Sequence, residues 1–251
     1  MNTHHPVKQA VILAAGRGRR LGALTDNVPK PMLSIGGAPA IGRVLSGLKA
    51  SGITQAIIVV GYRAEIIQDF FANGEQFGLA IRYITQTSPN GTAAALGLAR
   101  DQAHGEAVLM TYGDIITDEA HYRSILAMYE STESAAVIGI NPVDDPAAGA
   151  AVYRDGDRVT RIVEKPPAGT SESNWNQAGV FVFGPTIWDA IETLKPSVRG
   201  EYEITDAILA LMRPGNTVRA CEMTGFWSDI GTPADLAAAD AHFTRISVTN
   251  D

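Results

Sequence analysis

Two glycines and three arginines follow an apolar run near the start of the chain. The stretch ILAAGRGRR, residues 12–20, sets Gly16 and Gly18 among basic side chains in a protein of formal net charge -7. Glycine lets an anion approach the backbone closely, and a turn that leaves a strand can aim several N–H groups at one point. Arginine adds permanently charged, forked donors that fit phosphate oxygens. The stretch therefore predicts a phosphate-binding turn.

Other interpretations of this turn fit less well. A dinucleotide-binding turn needs a third glycine where Leu21 stands, and an acidic residue at the end of the next strand, where Val60-Gly61-Tyr62 stands. A P-loop needs Gly-Lys-Ser or Gly-Lys-Thr to close the turn, and the stretch lacks it. A basic surface loop would leave the glycines unexplained.

The turn needs a strand before it, and the apolar pattern predicts one. Short apolar runs alternate with segments of helical period, which is typical of a mainly parallel sheet covered on both faces. Strands are predicted at 10–14, 56–60, 81–85, 108–112 and 135–140. Helices are predicted at 40–50, 64–71, 93–100 and 122–129. The pattern indicates an α/β fold.

The second half of the chain has a different pattern of strand, loop and helix signals. Asp155-Gly156 is a hairpin signal between predicted strands 150–153 and 158–163. A loop is predicted over 166–176, followed by an apolar strand over 179–183. The remaining predicted elements are helices 186–194, 205–212 and 234–243 and a strand over 218–223.

Composition argues against several classes of protein. The 27 acidic and 20 basic residues disfavour nucleic acid or an anionic membrane as the main partner, because both repel a negative chain. Cys221 is the only cysteine, so an intramolecular disulfide and a cysteine-built zinc site are excluded. With no signal core and no apolar stretch of membrane length, we expect a cytoplasmic protein. The histidines are expected at the surface, at His4, His5, His104, His121 and His242.

Residues 12–41 resemble the signature of the sugar-1-phosphate nucleotidyltransferases, or NDP-sugar pyrophosphorylases, LAGGxGxRLxPLTxxxPKPxxxxxxxPxI. The resemblance extends from Val11 to about Ala239, and the motifs are most similar to those of glucose-1-phosphate thymidylyltransferase-like members. It implies a Rossmann-like (GT-A-like), mainly parallel mixed sheet flanked by helices, in a single domain. The matching positions are Leu13, Ala14, Gly16, Gly18, Arg20, Leu21, Leu24, Thr25, Pro29, Lys30, Pro31, Pro39 and Ile41.

The resemblance implies that the glycine-rich turn holds a nucleoside triphosphate. Arg20 and Lys30 would then neutralise phosphate oxygens as pyrophosphate departs. Gln86 would read the base, which favours UTP or dTTP. The implied nucleotide-binding residues are Leu13, Ala14, Ala15, Gly16, Arg17, Gly18, Gln86, Pro89, Gly91 and Thr92.

Asp114 follows the fourth predicted strand, where a lone aspartate is more often a helix cap or turn former. The resemblance makes Asp114 a Mg²⁺ ligand, together with Asp229 in WSDIGT, residues 227–232. Two carboxylates suit this hard cation, which also takes oxygens from substrate phosphates. The implied catalytic set is Arg20, Lys30, Asp114 and Asp229.

The resemblance places the sugar phosphate against the second half. Glu164 would bind a sugar hydroxyl, Lys165 the sugar phosphate, and Arg199 in RGEYEITD, residues 199–206, would be a second phosphate clamp. Many relatives have Asn directly before Ala-Gly, where this chain has Gln177, so the identity of the sugar stays open. The implied sugar-phosphate residues are Gly149, Glu164, Lys165, Asn176, Gln177, Gly179 and Arg199.

The implied reaction converts an NTP and a sugar-1-phosphate into an NDP-sugar and pyrophosphate by direct in-line attack on the α-phosphorus. A GTP- or CTP-using member, an NDP-sugar-dependent glycosyltransferase and a nucleotide-binding module without turnover stay open as alternatives, as does homo-oligomerisation. We predict a single domain over 1–251, with a flexible tail 1–8, a nucleotide-binding half 9–140 and a sugar-phosphate-binding half 141–246. The β-helix or extra helical region of larger relatives is not expected in 251 residues.

Overall fold

The computed structural model describes residues 6–249 and contains a nine-stranded mixed sheet. Strands of the first half are β1 (Gln9–Ala14), β4 (Gln55–Val60), β5 (Ala80–Thr85) and β6 (Val108–Tyr112). They run parallel in the order β5-β4-β1-β6. Parallel strands end at one edge of a sheet, so the turn after β1 and Asp114 after β6 lie at the same edge.

The second half adds five strands to the same sheet. They are β8 (Ala136–Pro142), β9 (Ala150–Asp155), β10 (Arg158–Glu164), β11 (Trp175–Phe183) and β12 (Val218–Glu222). Strand β11 lies antiparallel between β6 and β8, so it joins the two halves. The order then continues β8-β12-β10-β9. The predicted hairpin forms between β9 and β10, with Gly156 at φ 57°.

Two short antiparallel pairs complete the strands. Strand β2 (Ser34–Ile35) pairs with β3 (Ala38–Pro39), and β7 (Ile115–Thr117) pairs with β13 (Trp227–Asp229). The second pair sets Asp229 opposite Ile115, and the Ile230 N–H donates to the Asp114 carbonyl at 3.2 Å. This pairing brings together two aspartates that lie far apart in the sequence.

Helices cover both faces of the sheet, and side chains alternate between the two sides. Ile12 and Leu109 belong to one core cluster, whereas their neighbours Val11 and Met110 belong to the other. No helix within residues 6–249 has both the length and the apolar character needed to cross a bilayer. The helices are α1 (Ala40–Ala50), α2 (Ala64–Phe71), α3 (Thr92–Gly97), α4 (Glu119–Ser131), α5 (Thr186–Glu192), α6 (Ile204–Leu211) and α7 (Pro233–Thr249).

The predicted α/β fold is confirmed, with three corrections to the elements. The loop predicted over 166–176 ends early, because Trp175 and Asn176 already pair with β8 and extend β11. The helix predicted over 93–100 ends at Gly97 and continues as turns. The helix predicted over 234–243 continues to Thr249.

One prediction about exposure was wrong. His121 is only 5% exposed, since its ring contacts the Thr117 hydroxyl and the Thr224 carbonyl. Val7, which lies within the predicted tail 1–8, is buried, and its N–H donates to Glu130 Oε1 at 3.1 Å. Residues 1–5 of that tail lie outside the described residues, and the predictions for His4 and His5 lie there with them.

Candidate active site

Two cavities meet at the carboxyl edge of the parallel strands. The first, of about 340 Å³, lies over the glycine-rich turn, and the second, of about 230 Å³, extends toward the second half of the chain. Tyr112 and Asp114 line both. A ligand that reaches from one cavity into the other would therefore pass Asp114.

The implied site residues divide between the two cavities. All ten implied nucleotide-binding residues except Arg17 line the first, together with Lys30. All seven implied sugar-phosphate residues except Arg199 line the second, together with Asp229. Arg20 is in the lining of neither cavity; it is exposed, and a Cβ on Gly231 would lie 3.4 Å from both of its Nη atoms.

The glycine-rich turn is shaped by backbone bonds around Gly18. Its φ is 72°, a left-handed conformation that glycine adopts readily, and its carbonyl accepts from the Leu21 N–H at 3.0 Å and from the Thr25 hydroxyl at 3.2 Å. Arg17 extends away from the cavity, because its guanidinium pairs with Asp26 at 3.3 Å and lies 5.2 Å from the centre of the Tyr62 ring.

Lys30 is the charged centre of the junction between the cavities. Its ammonium contacts Asp114 and lies 3.1 Å from Asp229 Oδ1, although the residue is only 8% exposed. Burial lowers the pKa of the Lys30 amine, but the two carboxylates together raise it more, so the pKa lies above its ordinary value. Burial raises the pKa of the Asp114 carboxyl, and Lys30 opposes that rise.

The same two carboxylates fit a hard divalent cation. They converge on one ammonium, so both oxygens already face a shared positive charge. Within residues 6–249, no group of three or more His, Cys, Asp or Glu side chains is placed to hold a metal. A cation here would take two protein oxygens and complete its shell with phosphates and water, which is the mode that Mg²⁺ favours.

The loop after β5 is joined to the segment before α6. The Tyr202 N–H donates to the Asn90 carbonyl at 2.8 Å, the Ala93 N–H donates to the Tyr202 carbonyl at 2.9 Å, and the Ile204 N–H donates to Thr92 Oγ1 at 3.0 Å. The Gln86 amide N–H₂ lies 3.4 Å from Asn90 Oδ1. The loop that would read a base is thus fixed to the segment that carries Arg199.

Three glutamate side chains surround Arg199, an arrangement that the sequence did not predict. Its guanidinium donates to Glu203 at 2.5 Å and lies 3.4 Å from Glu164 and 3.6 Å from Glu201. Burial raises the pKa of Glu164, and the negative charge of Glu203 raises it further. Lys165, at φ 41°, donates its N–H to the Gly149 carbonyl at 2.8 Å.

Several residues that line the cavities were missed by sequence reasoning. Tyr112 and Trp227 each stand two positions before an aspartate of the motifs and line the cavities, but strand alternation alone could not assign them a role. Glu201 lies within the quoted RGEYEITD stretch and lines the first cavity. The other missed residues that line the cavities are Pro31, Ala95, Ile115 and Ala148.

The fold and the two cavities define an α/β protein with a site at the carboxyl edge of its parallel strands, and comparison with known proteins specifies its family. The chain belongs to the nucleotidyl transferase family, whose model matches residues 9–245. It is 37% identical over 237 residues to the bifunctional protein GlmU of Methanococcus aeolicus, which covers 94% of this chain and 54% of that protein. The chain therefore spans about half the length of that relative.

Other relatives match over most of both chains. The UTP–glucose-1-phosphate uridylyltransferase AglF of Haloferax volcanii is 35% identical, covering 92% of this chain and 95% of AglF. A crystal structure of a Bacillus anthracis protein assigned as a glucose-1-phosphate thymidylyltransferase, in complex with sucrose, is 30% identical and superposes with a TM-score of 0.85 over 94% of this chain and 95% of that one. A UDP-glucose pyrophosphorylase complexed with UDP-glucose, 20% identical, shares the fold with a TM-score of 0.85, covering 95% of this chain and 99% of that one.

Proposed function

We propose that this protein joins a nucleoside triphosphate to a sugar-1-phosphate, forming an NDP-sugar and releasing pyrophosphate. The observation that carries the proposal is the contact of Lys30 with both Asp114 and Asp229 where the two cavities meet. One cavity would hold the nucleotide and the other the sugar phosphate, so their phosphates would meet beside this cluster. The name of the relative AglF, a UTP–glucose-1-phosphate uridylyltransferase, is consistent with that chemistry.

The reaction proceeds by in-line attack of a sugar-phosphate oxygen on the α-phosphorus, with pyrophosphate leaving from the opposite side. The protein positions the two substrates and offsets the charge that develops on their oxygens. Lys30 and Arg20 neutralise the departing pyrophosphate. Lys165 and Arg199 hold the attacking phosphate, and Arg199 has enough N–H donors to bind Glu203 and a phosphate together.

Nucleotidyltransferases of this family generally use a divalent metal. We propose that Asp114 and Asp229 hold Mg²⁺, because their carboxylates converge and offer hard oxygen ligands. When bound, the ion would supply charge neutralisation at the α-phosphate and the sugar phosphate. Lys30 offsets the repulsion between the two carboxylates.

Substrate choice divides between the two halves of the chain. The nucleotide-binding half, 9–140, takes UTP or dTTP, since Gln86 can both accept from and donate to a pyrimidine imide edge. The sugar-phosphate-binding half, 141–246, carries Glu164 for a sugar hydroxyl. Both halves act within one domain.

A matrix of five nucleoside triphosphates against a panel of sugar-1-phosphates, read by pyrophosphate release, tests the proposal. We expect turnover with a uridine or thymidine nucleotide and a fall in kcat/KM of about 10²–10³ in Asp114→Asn, because a preorganised charge is lost. Asp189→Asn, a change in an exposed carboxylate on α5, serves as the matched control. Absence of turnover with every pair, or an Asp114→Asn variant within about threefold of wild type, contradicts the proposal.

A further inference from the structure

The loop between β4 and α2, residues 61–63, contacts the start of the glycine-rich turn. The Tyr62 N–H donates to the Ala15 carbonyl at 3.1 Å, just after the chain leaves β1. A Cβ on Gly61 would lie 2.8 Å from that carbonyl oxygen, so the close approach requires glycine. The loop is thus bound to one end of the turn, although none of its three residues lines either cavity.

The same loop also holds the other end of the turn, at the Asp26 carbonyl. This oxygen accepts from Tyr62 Oη at 2.8 Å and from Arg63 Nε and Nη2 at 3.2 and 3.0 Å. Arg63 Nη2 also lies 3.4 Å from Asn27 Oδ1. Two adjacent residues, Tyr62 and Arg63, therefore fix both ends of the turn.

Arg63 makes these contacts from an unfavourable backbone conformation. Its φ of 50° and ψ of 45° are left-handed, at the residue before α2, and glycine adopts this conformation far more readily. The Arg63 side chain makes no cap hydrogen bond to the helix. The backbone alone would favour glycine at position 63, and what arginine adds there is the contact with the Asp26 carbonyl.

The Tyr62 ring is a platform for two cations. The guanidinium carbons of Arg17 and Arg63 lie 5.2 and 5.7 Å from its centre, distances at which a cation and an aromatic ring attract each other. Arg17 is also paired with the Asp26 carboxylate at 3.3 Å. Arg17 therefore belongs to the contacts that surround the turn.

The turn between these two ends carries Arg20, the proposed partner of the departing pyrophosphate. Within residues 6–249, the Arg20 guanidinium makes no ion pair or hydrogen bond, so its direction depends on the backbone that carries it. Gly18 and Gly22, at φ 72° and 57°, give that backbone a wide choice of conformations. Ordering such a segment when a ligand arrives costs affinity, and a protein that orders it beforehand avoids this cost.

We infer that Tyr62 and Arg63 are positioning residues that order the glycine-rich turn before a nucleoside triphosphate binds. They line neither cavity and act through the Ala15 and Asp26 carbonyls. Their loss should weaken nucleotide binding and leave binding of the sugar phosphate unchanged. The inference rests on the proposed function and deepens it.

The test measures the Kd of the full chain for ATP, CTP, GTP, UTP and dTTP by calorimetry, and the KM for the sugar-1-phosphate by pyrophosphate release. Arg63→Ala should raise the Kd for the preferred nucleotide about tenfold and change the KM for the sugar-1-phosphate by less than about twofold. Tyr62→Phe, which removes a hydroxyl group and no charge, should raise the same Kd about threefold. Arg63→Lys, which keeps the charge but loses the fork of donors, should lie between wild type and Arg63→Ala.

Arg63→Gly separates positioning from a purely structural role. Glycine relieves the left-handed backbone, so thermal stability should equal or exceed that of Arg63→Ala, whereas the nucleotide Kd should rise at least as far. The inference is overturned if the nucleotide Kd stays within about twofold of wild type in both variants, or if the Kd for nucleotide and the KM for sugar-1-phosphate rise equally.

A general effect of charge gives a different pattern. It would leave Tyr62→Phe and Arg63→Lys like wild type, and the penalty of Arg63→Ala would disappear at about 0.5 M salt, where exposed charges are screened. That pattern also overturns the inference. Asp26→Asn is the matched control, since it removes the carboxylate that pairs with Arg17 and keeps the carbonyl; its nucleotide Kd should stay within about twofold of wild type. A rise as large as that of Arg63→Ala would assign the effect to the carboxylate and count against the inference.

Failure of the inference is distinguishable from failure of the proposed function. If wild type binds a nucleotide but releases pyrophosphate with no sugar-1-phosphate, the proposed function is overturned, and the Kd values of the variants still decide the inference. If wild type binds none of the five nucleotides, both are overturned.

Discussion

At the scale of single residues, Lys30 combines two opposing effects. Burial disfavours its charged form, and the two carboxylates restore that form. The three groups stabilise one another, so the loss of one changes the charge balance of the other two. We regard Lys30, Asp114 and Asp229 as one functional unit whose mutational effects will not add.

Gly18 has both a left-handed backbone and a close neighbour. A Cβ there would lie 2.8 Å from the Lys30 Cβ. Gly18→Ala should therefore lower the free energy of unfolding by about 1–3 kcal/mol, through strain and displacement of Lys30. Urea denaturation measures the stability, and pyrophosphate release should fall in parallel.

Gly16→Ala is the matched control for this prediction. No atom lies within 4 Å of a Cβ at Gly16, so the free energy of unfolding should change by less than about 0.5 kcal/mol. Equal destabilisation by the two substitutions would show that the space beside Lys30 is not what requires glycine at position 18.

At the scale of elements, the loop after β5 is bound to the segment before α6, and this connection explains how two substrates could be aligned. Gly91 lies against Tyr202 so closely that a Cβ would overlap the backbone there. The loop that carries Gln86 and the segment that carries Arg199 therefore form one body. Nucleotide and sugar phosphate would be held by the same rigid unit.

The start of α7 has a reciprocal cap just after Asp229. Asp235 Oδ2 accepts from the Thr232 N–H and hydroxyl, both at 2.8 Å, and the Asp235 N–H lies 3.3 Å from Thr232 Oγ1. Pro233 at the first helical position is consistent with this arrangement. The cap fixes the point at which the chain leaves the active site.

We expect Thr232→Ala to lower the free energy of unfolding by about 1 kcal/mol, because the Asp235 N–H in the first turn of the helix loses its side-chain partner. Asp235→Ala should do the same. Since the two side chains share their hydrogen bonds, the double substitution should cost less than the sum of the single ones. A double-mutant cycle in urea measures this, and strictly additive effects would argue against a shared cap.

At the scale of the whole molecule, the halves cannot separate without breaking the sheet. Strand β11 lies in the predicted half 141–246, yet it pairs over residues 180–183 with β6 and also with β8, most of which lie in the predicted half 9–140. The side chains of Phe181 and Phe183 are fully buried, and their rings stack 5.4 Å apart. The predicted halves therefore share one sheet and are not separate folding units.

We accordingly expect a single unfolding transition. Far-UV circular dichroism and tryptophan fluorescence should give the same urea midpoint, because Trp188 on α5, Trp175 on β11 and Trp227 on β13 report on different parts of one domain. Variants with a single Trp→Phe substitution at each of the three positions would assign the signals. An early fluorescence transition that belongs to one tryptophan would contradict a single domain.

Much of the fold follows from local pattern. The Val-Ile-Leu run of β1 and the Ile-Ile-Val-Val run of β4 are apolar over a strand's length, and the helix over 40–50 agrees with its predicted bounds. The strand over 175–178 was not predicted, because Trp175 and Asn176 are extended only through pairing with β8. His121 was placed wrongly for a similar reason, since its partner Thr224 comes from another part of the chain.

The sequence by itself determined the elements, the glycine-rich turn and the family, because these depend on residues close together in the chain. Only the tertiary structure decided which side chains meet. Asp229 reaches Asp114 through the pairing of β13 with β7, and Arg17 leaves the cavity for Asp26. Such contacts depend on strand register and on competition among charged partners, which neighbouring residues in the sequence do not specify.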